Sequence, residues 1–332
     1  MSVFVALATW EPDLALLDRQ LASLSAQTLP GWTGVVVDDA SAPATRQAIA
    51  ERVAREPRLR FVSEQARVGF YRNFARALAL VPADARHVAL CDQDDRWHPE
   101  KLARQVRALE AGGASLCYTD VRLVDATGAV LAGTFWRDRP HGRTFREVLY
   151  NNVVTGATAL VRRELLALAL PFPDDPGGAF HDHWLALCAL ATGGVVYLDD
   201  ALVDYTQHDG NALGAQGHAH AGGLARAVAR IAGDLLADPR GVGRRLDALA
   251  AHAARSDARL RAFADALRRR LPALSPSAAA ALRPFSHAGI LGRALDLAGP
   301  TLVATLLARQ ETNLEPLKLP IGHLWAALRR AR

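Results

Sequence analysis

Closely spaced cysteine pairs are missing from this 332-residue chain, whose three cysteines, Cys91, Cys117 and Cys188, lie far apart in apolar surroundings. That spacing excludes the thiol pairs of zinc and redox sites and predicts buried free thiols in a reducing compartment. No apolar run reaches the length of a membrane span. The longest strongly apolar stretch, Leu297 to Ala308, is interrupted by Gly299 and Pro300. No basic segment precedes the first apolar run, Val3 to Ala8, and acidic Glu11 and Asp13 follow it, a pattern unlike a signal peptide. There is no internal repeat and no Gly-x-Gly-x-x-Gly turn, and the second absence argues against a dinucleotide fold of the NAD type.

What is present is ordinary globular composition, 50% apolar and 22% charged, which excludes disorder as the main state. The net charge of +5 is unevenly spread: residues 1–214 carry 21 basic and 26 acidic side chains, whereas 215–332 carry 18 and 8. A basic tail rich in Ala, Leu and Arg fits peripheral contact with an anionic membrane. Its few aromatic residues argue against nucleic acid. The Gly-rich stretch Gly210 to Gly223 marks the boundary, giving an α/β domain over 1–214 and a helical, basic region over 215–332.

Within the first 120 residues, short β-branched runs alternate with helical patterns, which predicts parallel strands joined by crossover helices in a doubly wound α/β layout. The strand candidates are Val3 to Ala8, Gly34 to Val37, Leu59 to Val62, Val88 to Cys91 and Ser115 to Tyr118. Leu14, Leu17, Leu21 and Leu24 recur at helical spacing, and so do Leu246, Leu249, Leu260, Phe263, Leu267 and Leu271 in the tail. Further on, the pattern predicts a hairpin at Asp125 to Gly128 and a strand at Ala157 to Val161. A helix over His181 to Ala191 precedes two short strands, Val195 to Leu198 and Leu202 to Tyr205.

Ligands of such sheets sit beyond the carboxyl ends of the strands. Asp38-Asp39 ends the second strand and Asp92-Gln93-Asp94-Asp95 the fourth, so both acidic clusters face one crevice. Alternate carboxylates on one loop can hold a hard divalent cation and leave its open positions to phosphate oxygens, although each could equally cap a helix. Asp38 and Asp39 offer acceptors to a base or ribose, and Arg72, entering the third helix, offers paired donors to a diphosphate. Asp182, between His181 and His183 and beside Trp184, is placed to take a hydroxyl proton. His208, in a polar loop, can complete a coordination shell or donate to a phosphate.

In order, Val37-Asp38-Asp39-Ala40-Ser41, Arg72-Asn73-Phe74, Asp92-Gln93-Asp94-Asp95, Thr155-Gly156-Ala157-Thr158, His181-Asp182-His183-Trp184 and Gln207-His208 resemble glycosyltransferase family 2, in its bacterial rhamnosyltransferase-like subgroup. The resemblance covers residues 3–214. It implies a GT-A type mixed central sheet flanked by helices and an inverting transferase; the helical C-terminal extension lies outside it, and the reduced thiols and basic tail place the chain in the cytoplasm, at the inner membrane face. The donor would be a nucleoside diphosphate sugar, a deoxysugar such as rhamnose, and the acceptor a glycan or lipid-linked glycan in cell-surface polysaccharide synthesis. Thr9, Asp38, Asp39, Arg72 and Asp92 would bind the donor. Asp92 and Asp94, with His208, would hold Mn2+ or Mg2+, and Asp182 would be the catalytic base. Trp10-Glu11 stands where the family usually has Tyr-Asn, and Arg67 where Asn is common. A nucleotidyltransferase is disfavoured by the acidic Glu11 and Asp13 after the first strand. A non-catalytic nucleotide- or carbohydrate-binding module on the same fold is the alternative.

Overall fold

A computed structural model describes residues 2–135, 144–174, 178–208 and 241–286. The boundary stretch Gly210 to Gly223 and the apolar run Leu297 to Ala308 lie outside them. The chain forms two compact units. The first comprises residues 1–144, 152–172 and 180–214, and the second residues 145–151, 173–179 and 215–332.

The first unit opens with β1 (Val3–Thr9), α1 (Leu14–Ser25), β2 (Thr33–Asp38), α2 (Pro43–Val53), β3 (Leu59–Ser63), α3 (Phe70–Ala79) and β4 (His87–Cys91). There follow β5 (Arg96–Trp97), α4 (Lys101–Gly112), β6 (Leu116–Asp125) and β7 (Val130–Ala132). Between β7 and β8 comes α5 (Phe145–Tyr150), which belongs to the second unit; β8 (Leu160–Arg162), α6 (Leu165–Ala169), α7 (His181–Thr192) and β9 (Val195–Gln207) complete the first. The strand order is β3-β2-β1-β4-β8-β6-β9-β5, with β7 paired to β6. β1 to β4 run parallel, and β8 is antiparallel to both β4 and β6, so the sheet is mixed.

The parallel half follows from burial. Val35, Val36 and Val37 of β2, Val5 and Leu7 of β1, and Ala89 and Leu90 of β4 are wholly buried, as strands covered on both faces must be. Each such Val or Leu contributes about 1.5–3 kcal/mol by leaving water. The register pairs Thr9 with Asp38 and Leu7 with Cys91, which aligns the carboxyl ends of β1, β2 and β4.

Three expectations are corrected. The strand at Ala157 to Val161 is shortened to β8, because Gly156–Thr158 forms a 3-10 turn closed by Thr158, whose N–H and hydroxyl both donate to the Thr155 carbonyl. The two strands after α7 are one long strand, β9, whose register against β6 shifts around Asp120. Its intervening acidic pair, Asp199-Asp200, reads as a break but is carried through that irregularity. Ser115 to Tyr118 likewise proves to be only the start of β6. The three cysteines are free and buried.

Helix α1 also braces the other elements. Ser23 Oγ accepts from Trp97 N, and Gln27 both donates to the His98 carbonyl (2.8 Å) and accepts from Leu102 N (3.1 Å). At its end Ser25 Oγ donates to Glu56 (2.6 Å), which pairs through both oxygens with Arg58 (2.7 Å each). The Arg58 guanidinium lies 4.1 Å over the buried Trp32 ring. These bonds, led by that from Arg58, hold the Glu56 carboxyl down from 4.5 to about 2. Glu56→Gln is expected to cost about 1–3 kcal/mol of stability. Because the folded value is depressed, the contribution is present above the unfolded value and disappears as pH falls towards 2. Thermal melts of both proteins from pH 7 to about pH 2 should therefore draw together at the acid end.

The second unit contains α5, α8 (Gly241–Arg270) and α9 (Pro276–Leu282). Helix α8 buries Leu260, Phe263 and Leu267 of the periodicity read in the sequence, and Ala253 besides, whereas Leu271 lies just past its end and is partly buried. The side chains of Leu246 and Leu249 lie outside the described set. Ser275 caps α9 through Ala278 N, and Tyr150 packs near Phe285. Arg259 donates to the Gly178 carbonyl (2.8 Å), Arg261 to Asp257 (2.9 Å) and Arg268 to the Leu282 carbonyl (2.7 Å), so part of the tail's basic charge is engaged inside this unit.

Candidate active site

The aligned ends of β1 and β2 carry Thr9, Asp38 and Asp39, all buried. Asp38 closes a turn by accepting the Ser41 N–H (3.0 Å) and hydroxyl (2.5 Å), while Ala40 takes a left-handed φ of 60°. The Thr9 hydroxyl lies 3.4 Å from the Asp38 carboxylate. Asp39 accepts Val68 N–H (2.8 Å) and Gly69 N–H (2.7 Å), with Arg76 at 3.3 Å. It thereby fixes the loop that enters α3. Ala42 holds the N-cap of α2 without a side-chain bond, so neither acid is the helix cap that its position allowed.

The loop after β4 is tied on several sides. Gln93 Oε1 accepts Trp10 N–H (2.9 Å), and Arg19 of α1 donates to the Asp94 carbonyl (3.4 Å) and the Thr206 hydroxyl (2.6 Å). Buried Asp95 accepts Thr206 N–H (3.0 Å), and His208 Nε2 stands 2.9 Å from Asp94 Oδ2. Burial, then Asp94 and Asp182, push the Asp92 carboxyl well above the usual range. Burial, followed by Asp95, Asp92, Asp94 and Asp182, likewise raises the Tyr205 phenol. Carboxylates from two parts of the chain, Asp94 and Asp182, thus both bear on Asp92. Glu100, not an aspartate of this loop, occupies the N-cap of α4.

Among the described residues no group of three or more His, Cys, Asp or Glu side chains is assembled for a metal. Two carboxylates crowded by like charge still suit Mg2+ or Mn2+, which take one or two protein carboxylates and fill their remaining positions with water and phosphate. His208, held on Asp94, borders that pair.

Asp182 lies in the first turn of α7, whose N-cap is Phe180. Its Oδ1 accepts Asn152 Nδ2 (2.9 Å) and His183 N–H (2.6 Å), while Oδ2 accepts Gly156 N–H (3.0 Å). Burial raises this carboxyl to about 6 against the lowering effect of those donors. Trp184, expected beside it, is fully buried and donates instead to the Ala169 carbonyl, which locks α7 against α6. A Cβ on Gly156 would meet His181 Nε2 at 2.5 Å. Gly156→Ala is expected to move that turn and its N–H off Oδ2, costing about 1–3 kcal/mol; urea unfolding checks the loss, which should come with reduced turnover.

Arg72 is exposed in the first turn of α3, whereas the cation brought onto the acids there is Arg76. Arg67 stacks 3.4 Å over the Trp10 ring, so the two departures from the family pattern touch. Sequence reasoning missed Arg19, Gln93, Asn152 and the backbone role of Gly156. Asn152 stands four residues before the singled-out Gly156, and nothing local marks it.

Residues 11–168 match the family described as Glycosyl transferase family 2. TuaG of Bacillus subtilis, named for a glycosyltransferase step in teichuronic acid biosynthesis, is 28% identical over 148 residues, 45% of this chain and 57% of that one. The chain spans about half the length of the curated relatives it matches next, 49%. Among solved structures, S. aureus TarS 1-349 in complex with UDP-GlcNAc is 16% identical with a TM-score of 0.54, covering 100% of this chain and 93% of that one. The mannosyltransferase PcManGT from Pyrobaculum calidifontis, in complex with GDP-Man and Mn2+, is 22% identical with a TM-score of 0.50, covering 99% and 86%. At these identities the likeness speaks for the fold alone, a GT-A type mixed sheet with flanking helices.

Proposed function

This chain belongs to glycosyltransferase family 2 through residues 11–168, and from that premise we propose that it moves a sugar from a nucleoside diphosphate to a hydroxyl of a glycan or lipid-linked glycan, with inversion. The observation that carries this reading is the crowding of the desolvated Asp92 carboxyl by Asp94 and Asp182, beside the strand ends bearing Asp38 and Asp39. The relative named for teichuronic acid biosynthesis supports a place in cell-surface polysaccharide synthesis. Residues 1–214 are the catalytic part in this reading, and 215–332 a helical appendage.

Thr9, Asp38, Asp39 and Arg72 contact the nucleotide and diphosphate, and Asp92 and Asp94, bordered by His208, are the residues that hold Mn2+ or Mg2+. The cation, when bound, offsets charge on the departing diphosphate. Asp182 Oδ2 accepts the proton of the attacking hydroxyl. The new C–O bond forms on the face opposite the diphosphate as the old bond breaks, and no second carboxylate serves as nucleophile. Asn152 and the Gly156 N–H keep the base oriented throughout. The reaction runs in the cytoplasm at the inner membrane face, where basic residues of the tail meet anionic lipid. Flotation with vesicles of phosphatidylglycerol against phosphatidylcholine tests that contact.

The primary test is thermal stability against UDP, GDP, dTDP and ADP, each with and without Mn2+, followed by transfer assays with the matching sugar donors, rhamnose first. A metal-dependent rise with one nucleotide followed by transfer supports the reading. No rise with any nucleotide defeats it, and binding without turnover, unaffected by Asp182→Ala, favours the non-catalytic module.

A further inference from the structure

We propose that Phe70 and Phe180 form the acceptor subsite, an aromatic wall against which the apolar face of an acceptor pyranose packs while its hydroxyl reaches Asp182. The inference rests on the reading of Asp182 as the base. Phe70 opens α3 and is 42% exposed, one of the few large apolar side chains left in water among the described residues. It is nevertheless not adrift. Its ring lies 5.5 Å from that of half-buried Phe180, tilted by 32°, and meets His181 edge-on at 6.3 Å. His181 in turn stacks on buried Phe74 at 3.8 Å.

The imidazole of His181 is buried and neither ring nitrogen has a hydrogen-bond partner. Burial drives its pKa down to about 3, so it packs as a neutral aromatic plate. Four rings therefore join the N-terminal turns of α3 and α7 immediately ahead of Asp182, and the outermost ring faces solvent. A hydroxyl within hydrogen-bond reach of Oδ2 belongs to a ring only a few atoms across, and the cluster reaches that oxygen through His181, whose ring packs on Gly156, the donor to Oδ2. Phe180 is two positions away, and Phe70 extends the same surface. Sugar C–H faces bury well on aromatic rings. These two side chains offer no hydrogen-bond donor to a diphosphate, which suits an acceptor rather than the donor's charged half.

The test is steady-state kinetics on the full chain with Mn2+, the sugar nucleotide picked by the donor panel and a set of methyl glycopyranosides and short oligosaccharides as acceptors. Phe70→Ala and Phe180→Ala are each expected to raise the acceptor KM about tenfold or more, with the donor KM within twofold, and Phe70→Tyr to restore it. Phe180→Leu replaces Phe180→Ala if the latter fails to fold. An unchanged acceptor KM, or a donor KM that rises in parallel, overturns the subsite while leaving the function intact. A wild-type protein that neither transfers nor hydrolyses any sugar nucleotide defeats the function, and the subsite falls with it.

Discussion

Asp182→Asn is expected to lower kcat/KM for transfer by about 10²- to 10⁴-fold, the range of a lost general base. The amide has nearly the same shape, and its oxygen can still accept from Asn152 and His183. Its NH2 group would then face the Gly156 N–H, losing one hydrogen bond, about 1–3 kcal/mol. Removal of a desolvated carboxyl works in the opposite direction, so the melting temperature should move by only a few degrees while turnover collapses. The pH profile separates chemistry from stability. With the free-enzyme base at about 6, wild-type kcat/KM should fall tenfold per unit below that pH, because the protonated carboxyl cannot accept a proton. The variant's residual rate should lose this acid limb. A variant as active as the wild type would remove Asp182 from the mechanism.

Asp92→Ala and Asp94→Ala should each abolish the Mn2+-dependent stabilisation by nucleoside diphosphate. For the wild type at a hundred times its dissociation constant, the linkage contributes about 2.7 kcal/mol, roughly 5–10 °C in melting temperature. Without ligand, the Asp92→Ala protein should be no less stable than the wild type. The carboxyl removed is buried and crowded by Asp94 and Asp182, so its loss relieves desolvation and like-charge repulsion. Differential scanning calorimetry with and without EDTA measures both effects. A nucleotide shift that survives both substitutions would place the cation elsewhere.

The parallel half of the sheet was legible because its strands are buried on both faces and therefore read as unbroken Val and Leu runs. Asp38, Asp39 and the 92–95 loop were legible for a related reason: a carboxylate directly after such a run can only lie at its carboxyl end. Strand β8 was legible, though begun three residues early, but its antiparallel insertion between β4 and β6 was not, since so short a run carries no sign of its direction. Long strand β9 was split by Asp199-Asp200, whose polarity masks a register shift rather than a chain reversal. The bonds of Arg19 to Thr206, Gln93 to Trp10 and Asn152 to Asp182 span 30 to 187 positions and leave no local trace.

The buried thiols have a practical consequence. Burial pushes Cys91 and Cys117 up and away from the reactive thiolate, and Cys188 is equally enclosed. Maleimide dyes should pass over all three, so a cysteine introduced by Phe70→Cys would be the single point of labelling. A fluorophore placed there sits two residues from Arg72 and on the ring cluster beside Asp182, and arrival of donor and acceptor becomes visible as separate changes in emission from one unmodified cysteine background.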